Sequence, residues 1–153
     1  MNLRYLPPVA AVTGLGRMLR GRVRFNRQRT GEMLVEENGE QHRVFREVRI
    51  DSSSSLAVKP PVVLKLRFKF ARFSPAVNRW LSLLPVPAII GMPGLRQKTW
   101  THCDETGYSQ GIYRFESVET AETYRASPVV RILEKRTVPG SMDHSVLEEE
   151  DSK

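Results

Sequence analysis

The chain has 153 residues, of which 40% are hydrophobic and 27% charged, so a single domain can bury a core without cross-links. Its one cysteine, Cys103, excludes an intramolecular disulfide and a cysteine-rich metal site. No apolar run is long enough to predict a transmembrane helix, and the first residues lack the pattern of a secretory signal, so we expect a soluble, cytoplasmic protein.

The net charge of +7 originates at the N-terminus, because residues 1–31 contain seven arginines and no acidic residue. Apolar residues between Val9 and Leu19 recur with a loose helical spacing, but each glycine among them weakens a helix by about 1 kcal/mol. A helix here needs a surface to pack against, which is its own domain, a partner or an anionic membrane surface. We do not expect nucleic-acid binding, because only Tyr5 and Phe25 are available for stacking on bases.

A β-hairpin is predicted between Met33 and Ile50. The sequence Glu37-Asn38-Gly39-Glu40 separates two candidate strands, and an Asn-Gly pair favours a type I′ turn, in which both central residues have positive φ. Residues 51–60 are rich in serine and proline and predict a linker. We therefore treat residues 1–60 as a basic N-terminal arm, a hairpin and a linker, and we expect deletion of residues 1–30 to change stability little.

Residues 62–70 alternate between apolar and basic side chains, which predicts a strand with one buried face. Lys65, Arg67 and Lys69 then point away from the core. Ser74 and Pro75 predict the start of a helix that ends at Pro85, followed by an irregular connection over residues 85–94. The apolar positions of this helix are Val77, Trp80, Leu81 and Leu84.

Two more strands are predicted at residues 95–102 and 108–115, and Ser117 is the expected N-cap of a second helix. Pro128 interrupts that helix, a final short strand is predicted at residues 142–147, and residues 148–153 form an acidic, disordered tail. Residues 61–147 thus have the order strand–helix–strand–strand–helix–strand. This order predicts an α+β fold built on a ferredoxin-like split βαβ unit.

Several strings in this unit occur in the order and spacing of a known family. Residues 93–100 read PGLRQKTW, residues 111–116 read GIYRFE, residues 121–124 read AETY, and a Ser-Pro pair follows at 127–128. Over residues 62–146 the chain resembles the YdhR-like monooxygenase family of the dimeric α/β-barrel superfamily. The resemblance implies a four-stranded sheet on two helices, paired with a second copy in a homodimer that closes the barrel.

Cofactor-free oxygenases of this fold remove a proton from a bound phenol or enol, whose anion then reduces oxygen. They need a dry aromatic pocket and a proton acceptor. His102 is the candidate catalytic base, and it shares a strand face with Trp100, two residues away. The candidate binding residues are Trp100, Tyr113, Tyr124, Asn78 and Trp80. The alternative is that the aromatic residues fill the core and that His102 is exposed without a role.

Other site chemistry has less support. Cys103 and His102 are adjacent on a strand and point to opposite faces, so they do not form a nucleophile–base pair. The three histidines lack metal-ligand spacing, and we expect neither a metal nor a cofactor. We predict a homodimer that binds a small apolar or aromatic ligand, as a cofactor-independent monooxygenase acting on an aromatic or polycyclic substrate. The alternative is a non-enzymatic scaffold with a filled interior whose basic arm recruits a partner.

Overall fold

The computed structural model describes residues 2–51 and 61–148, and within them one antiparallel sheet carries the fold. The strands are β1 (Val23–Phe25), β2 (Met33–Val35), β3 (Gln41–Ile50), β4 (Val62–Phe68), β5 (Leu95–His102), β6 (Ser109–Phe115) and β7 (Asp143–Glu148). A 3₁₀ turn at Leu3–Tyr5 precedes the helices α1 (Pro7–Leu19), α2 (Pro75–Leu81), α3 (Val86–Ile90), α4 (Val118–Arg125) and α5 (Pro128–Lys135). None of the helices in these residues is long and apolar enough to cross a membrane.

The strand order is β1-β3-β5-β6-β4-β7, and β2 pairs with the outer edge of β3. Strands β4 to β7 with their helices form the split βαβ unit, so the predicted ferredoxin-like α+β fold is confirmed. Strand β3 pairs with β5, which places the N-terminal hairpin inside the same sheet instead of beside it. The sequence had suggested that the arm, the hairpin and the linker form a segment separate from residues 61–147. The alternation of side chains along a strand does not reveal which other strand it pairs with, so the β3–β5 pairing was not predictable.

Local signals place the starts of α2 and α4 where the sequence predicted them, whereas α2 ends at Leu81, before the predicted stop at Pro85. The Ser74 hydroxyl accepts a hydrogen bond from the Val77 amide at 3.3 Å, and the Ser117 hydroxyl accepts one from the Thr120 amide at 3.2 Å. The connection predicted to be irregular contains the short helix α3, because Pro85 and Pro87 lie in its first turn, where a missing N–H costs nothing.

The hairpin has the predicted position but a different turn. Of the two residues Asn38 and Gly39, only Gly39 has a positive φ, which is 86°. Its amide donates to the Glu36 carbonyl at 2.9 Å. This is the three-residue connection in which a type I turn is followed by a glycine bulge, instead of the type I′ turn that we predicted. The side chain of Asn38 stabilises it by accepting a hydrogen bond from the Glu40 amide at 2.9 Å.

Helix α1 packs backbone to backbone against α3. Gly14 is buried there, and a methyl group at this position would overlap the carbonyl oxygen of Pro87. The Arg17 guanidinium also donates to the Ile90 carbonyl at 2.6 Å. The sequence left three surfaces open for α1, namely its own domain, a partner or an anionic membrane surface. In the structure α1 packs against its own domain. The expectation that residues 1–30 add little to stability is not supported, because their loss would uncover buried α3.

The sheet has two unlike faces. The cavity face carries Lys98, Trp100, His102 and Tyr113 and lies below the helices, whereas the opposite face carries residues such as Thr99 and Gln110. Residues 26–40 extend over this opposite face, and Thr99, Thr101 and Gln110 are buried within a single chain.

A buried carboxylate anchors this cover to the sheet. Glu47 accepts hydrogen bonds from Asn26 at 2.6 Å, Arg29 at 2.7 Å, Gln97 at 2.8 Å and Thr99 at 2.9 Å. Two arginines supply counter-charge, because Arg29 donates directly and the Arg49 guanidinium lies 3.7 Å from the same carboxylate. A glutamate is usually exposed, and these hydrogen bonds explain why Glu47 can be buried.

The basic side chains of β4 also have acidic partners from the hairpin. Lys65 Nζ lies 2.9 Å from Glu36, and the Arg67 guanidinium binds both carboxylate oxygens of Glu40. Lys69, the third cation of the alternating pattern, follows the last residue of β4 and lies at the cavity instead. The predicted linker at 52–60 and residues 149–153 of the predicted tail lie outside the described residues, and Glu148 is the last residue of β7.

Candidate ligand-binding site

A cavity of about 470 Å³ lies between the cavity face of the sheet and helices α1, α2, α3 and α5. The sheet contributes Lys98, Trp100, His102 and Tyr113, and the helices contribute residues such as Asn78, Ala88 and Leu133. Pro7 and Ala11 of α1 also line it, so the N-terminal helix forms part of its wall. The space between sheet and helices is therefore open and not filled by side chains.

Five of the six predicted site residues line this cavity, namely His102, Trp100, Tyr113, Tyr124 and Asn78. Trp80 does not, and 67% of its surface is exposed. The helical spacing had placed Trp80 with Val77 and Leu81 on a buried side. Helix α2 is only seven residues long and is attached through Asn78, so its remaining faces are open to solvent.

Glycine 111 leaves room for the two aromatic rings of the sheet. Gly111 pairs with Trp100 across the β5–β6 ladder, and the Tyr113 ring lies over it, within 2.8 Å of where a side chain would begin. The Tyr113 ring then contacts the ring of Tyr124 at a centroid distance of 4.9 Å. Burial raises the pKa of Tyr113 to about 12, so its phenol is neutral and a hydrogen-bonding group, not a base.

His102 lies at the end of β5 with one ring nitrogen occupied. Its Nδ1 is 3.0 Å from the Ser109 hydroxyl, while the buried Nε2 has no hydrogen-bond partner among residues 2–51 and 61–148 and lies 3.9 Å from Asp104. Burial lowers the pKa of His102, and the nearby Asp104 carboxylate opposes that shift. A neutral imidazole with a free nitrogen is the state in which a histidine accepts a proton.

Asn78 fixes the loop between β4 and α2. Its amide nitrogen donates to the carbonyls of Arg72 at 3.0 Å and Phe73 at 3.2 Å, and Phe73 has a positive φ of 70°. These hydrogen bonds hold a backbone conformation that phenylalanine rarely adopts. The buried Oδ1 of Asn78 has no hydrogen-bond partner in the described part of the chain and can accept a hydrogen bond from a ligand.

Sequence reasoning missed Lys98. Its Nζ lies 4.3 Å from the centroid of the Trp100 ring and 4.5 Å from that of Tyr113, and the residue is only 5% exposed. Burial, and then the charge of Arg46, lowers the pKa of Lys98 well below its ordinary value. The signal that could have found it is strand parity, because Lys98 precedes Trp100 and His102 at the same two-residue spacing.

Arg46 is a second cation near the Trp100 ring, with its Cζ 5.3 Å from the ring centroid. It donates to the Ser82 hydroxyl at 2.7 Å and to the Arg79 carbonyl at 3.2 Å, both neutral oxygens. Burial, and then the charge of Arg79, lowers its pKa. In the part of the chain that the structure describes, no cluster of three or more His, Cys, Asp or Glu side chains suits a metal ion.

Comparisons with solved structures find the same fold in other proteins. The chain is similar to an uncharacterized ferredoxin-fold protein related to antibiotic biosynthesis monooxygenases from Listeria monocytogenes 4b F2365, with 16% identity and a TM-score of 0.55 over 79% of this chain and 70% of that chain. It is also similar to a monooxygenase-like protein from Listeria innocua, with 12% identity and a TM-score of 0.54 over 76% and 68% of the two chains.

A third similar structure is LmHde, a heme-degrading enzyme from Listeria monocytogenes, with 14% identity and a TM-score of 0.51 over 75% of this chain and 74% of that chain. No family model matches the sequence, and no curated protein matches it significantly. At these identities the likenesses establish the ferredoxin-like fold alone and leave the activity to be argued from the site itself.

Proposed function

We propose that this protein binds a planar, apolar small molecule in the cavity and acts as a cofactor-independent monooxygenase on an aromatic or polycyclic substrate. The observation that carries the proposal is the open cavity of about 470 Å³ lined by Trp100 and Tyr113. A scaffold has no need of such a space, whereas flat aromatic ligands are held by aromatic walls. The similar folds of a monooxygenase-like protein and a heme-degrading enzyme support this choice.

The proposed chemistry begins with proton removal from a hydroxyl of the bound substrate. The free Nε2 of His102 accepts that proton, and Asp104 stabilises the resulting imidazolium. The phenolate or enolate then reduces oxygen. In a substrate that carries a CH₂ group, this carbon becomes a carbonyl with one oxygen atom of O₂, and the other oxygen atom leaves as water with the two hydrogens. This reaction balances without an external reductant.

Assignment to the YdhR-like family, a homodimeric assembly and a cytoplasmic location belong to the same proposal. In it, residues 61–147 are the ligand-binding unit, and the described part of the preceding segment, residues 2–51, covers it, which the contribution of α1 to the cavity wall supports. The buried free thiol of Cys103 suits a reducing compartment. A second copy could cover the side chains of β7 that are exposed in the single chain, such as Ser145 and Leu147.

Tryptophan fluorescence tests the ligand-binding step. Trp80 is exposed and outside the cavity, so in a Trp80→Phe variant all tryptophan emission comes from Trp100. Titration with a panel of flat aromatics should quench or shift that emission. In a Trp100→Phe variant, stability should fall by about 1–2 kcal/mol or less, while ligand affinity falls by more. If no compound in the panel changes the Trp100 emission, the proposed function is excluded. For phenols that do bind, the rate of oxygen uptake measures turnover.

A further inference from the structure

The charge of the cavity wall is one-sided. Four cationic side chains, Lys69, Arg79, Lys98 and Arg136, line the cavity together with the imidazole of His102. Among the described residues that line it, none is an aspartate or glutamate. The cation-lined wall contrasts with the opposite face of the sheet, where basic side chains are paired with carboxylates.

Lys98 is the most deeply buried of these cations. Within residues 2–51 and 61–148 its ammonium has no hydrogen-bond or ion-pair partner, and only the rings of Trp100 and Tyr113 lie against it. Lys65, on β4 and on the opposite face of the sheet, shows the usual arrangement, with Glu36 at 2.9 Å. A buried lysine without a partner is costly, and such groups persist in proteins mostly where they bind a ligand.

Arg46 adds a second positive charge behind the same ring. Its guanidinium donates only to the neutral oxygens of Ser82 and Arg79, so no carboxylate of the described chain neutralises it. Lys98 and Arg46 therefore repel each other next to the apolar space. An anionic group in the cavity would be attracted by both.

We propose that the ligand carries an anionic oxygen, either a carboxylate or an ionised hydroxyl, and that Lys98 Nζ pairs with this oxygen. This proposal rests on the proposed function and specifies the substrate class. The bound anion provides the counter-charge that the wall lacks, and a charge-assisted hydrogen bond in an apolar cavity is stronger than a neutral one. The unpartnered Nε2 of His102 is available to take the proton when the anion forms from a hydroxyl.

Calorimetric titration with two matched pairs of compounds tests the proposal. One pair is 2-naphthoate and 2-naphthamide, and the other is 2-naphthol and 2-methoxynaphthalene. Each pair keeps the ring system and differs in the ability to place an anionic oxygen beside Lys98. The first pair reports a carboxylate ligand and the second an ionised hydroxyl, so the two sources of the same charge are separated.

The wild-type protein should bind the acidic member of at least one pair on the order of tenfold more tightly than its neutral member, as a charge-assisted bond predicts. A Lys98→Met variant, which keeps an unbranched apolar side chain, should lose this preference while its affinity for the neutral member stays within about twofold. The control is Lys135→Met, which removes the same charge from an exposed position on α5 outside the cavity wall and should keep the preference.

Equal affinity for both members of each pair in the wild-type protein would overturn the proposal without any variant, and the cavity would then remain a site for neutral ligands. A preference that survives in a folded Lys98→Met variant would overturn the assignment to Lys98. Absence of binding by all four compounds, together with unchanged Trp100 emission across the wider panel, would reject the proposed function itself.

Discussion

At the scale of single residues, Lys98 gives up stability for a position that suits binding. A buried donor without a partner costs about 1–3 kcal/mol relative to a paired one, and an apolar side chain at the same site avoids this cost. We therefore predict that Lys98→Met raises the free energy of unfolding by about 1–3 kcal/mol at neutral pH. Urea unfolding followed by circular dichroism measures it.

The pH dependence of this gain has a definite sign. Because the folded pKa of Lys98 lies well below its ordinary value of 10.5, the unfolded chain binds a proton that the folded chain does not. The difference in unfolding free energy between variant and wild type should thus grow as the pH falls from 10.5 toward the folded pKa. The matched control is Lys65→Met, which should lose stability because it leaves Glu36 without its ion pair. A loss for Lys98→Met as well would contradict the account.

Alternation along a strand predicted which aromatic residues share the cavity face, whereas the burial of Lys98 and the exposure of Trp80 were missed. Trp100, Tyr113 and His102 were predictable because alternation on a strand fixes which side chains share a face. Lys98 was not, since a lysine between polar residues indicates a solvated position by its chemistry alone. Trp80 was assigned to the buried side of a helix, but the spacing of apolar residues did not show that this helix is only seven residues long.

At the scale of elements, two glycines of α1 have opposite roles. Gly14 faces α3 with no room for a methyl group, whereas nothing lies within 4 Å of where a side chain would begin at Gly16. Gly14→Ala should lower the free energy of unfolding by about 1–3 kcal/mol through overpacking. Gly16→Ala, in the same helix, should raise it by about 1 kcal/mol through helix propensity.

Thermal and urea unfolding of the two variants checks this pair. Equal, small effects would mean that α1 does not dock on α3 in solution. The sequence could predict the helix from its spacing and the weakness caused by its glycines. The contact itself depends on a helix about seventy residues further along the chain, and local pattern carries no information on that pairing.

The hairpin is held over the sheet by an ion pair with its own pH window. Hydrogen bonds from Arg67, and then from His42, lower the pKa of Glu40 from 4.5 to about 2, although partial burial opposes them. A depressed carboxyl pKa stabilises the fold above pH 4.5, and this contribution is lost as the pH falls from 4.5 to about 2.

We predict that, as the pH falls from 4.5 to about 2, the free energy of unfolding decreases more steeply in the wild-type protein than in a Glu40→Gln variant. At neutral pH the variant should be about 0.5–1 kcal/mol less stable at low salt, and less affected at high salt, because solvent and salt still reach this partly buried ion pair. Denaturation at a series of pH values gives both slopes. Parallel slopes would show that Glu40 does not hold the hairpin.

At the scale of the whole molecule, the proposed homodimer depends on the open edge at β7. Leu147 there is 56% exposed, and an unpaired edge strand readily pairs with a second copy. We predict a dimer in sedimentation experiments at micromolar concentration and a monomer for Leu147→Lys. Leu19→Lys is the control, because Leu19 is 89% exposed on α1, far along the chain from β7, and should leave the dimer intact. A wild-type monomer at high micromolar concentration would reject the assembly.

The docking of α1 on α3 also sets an order of events during synthesis. Arg17 leaves the ribosome 73 residues before Ile90, the residue whose carbonyl it binds. Strands β3 and β4 and helix α2 are thus made while α1 still has no partner, and closing so long a loop is slow compared with local hairpin formation. Strands β5 and β6, which carry Lys98, Trp100 and Tyr113, follow α3 in the chain, so both halves of the α1–α3 contact leave the ribosome before the sheet side of the cavity does.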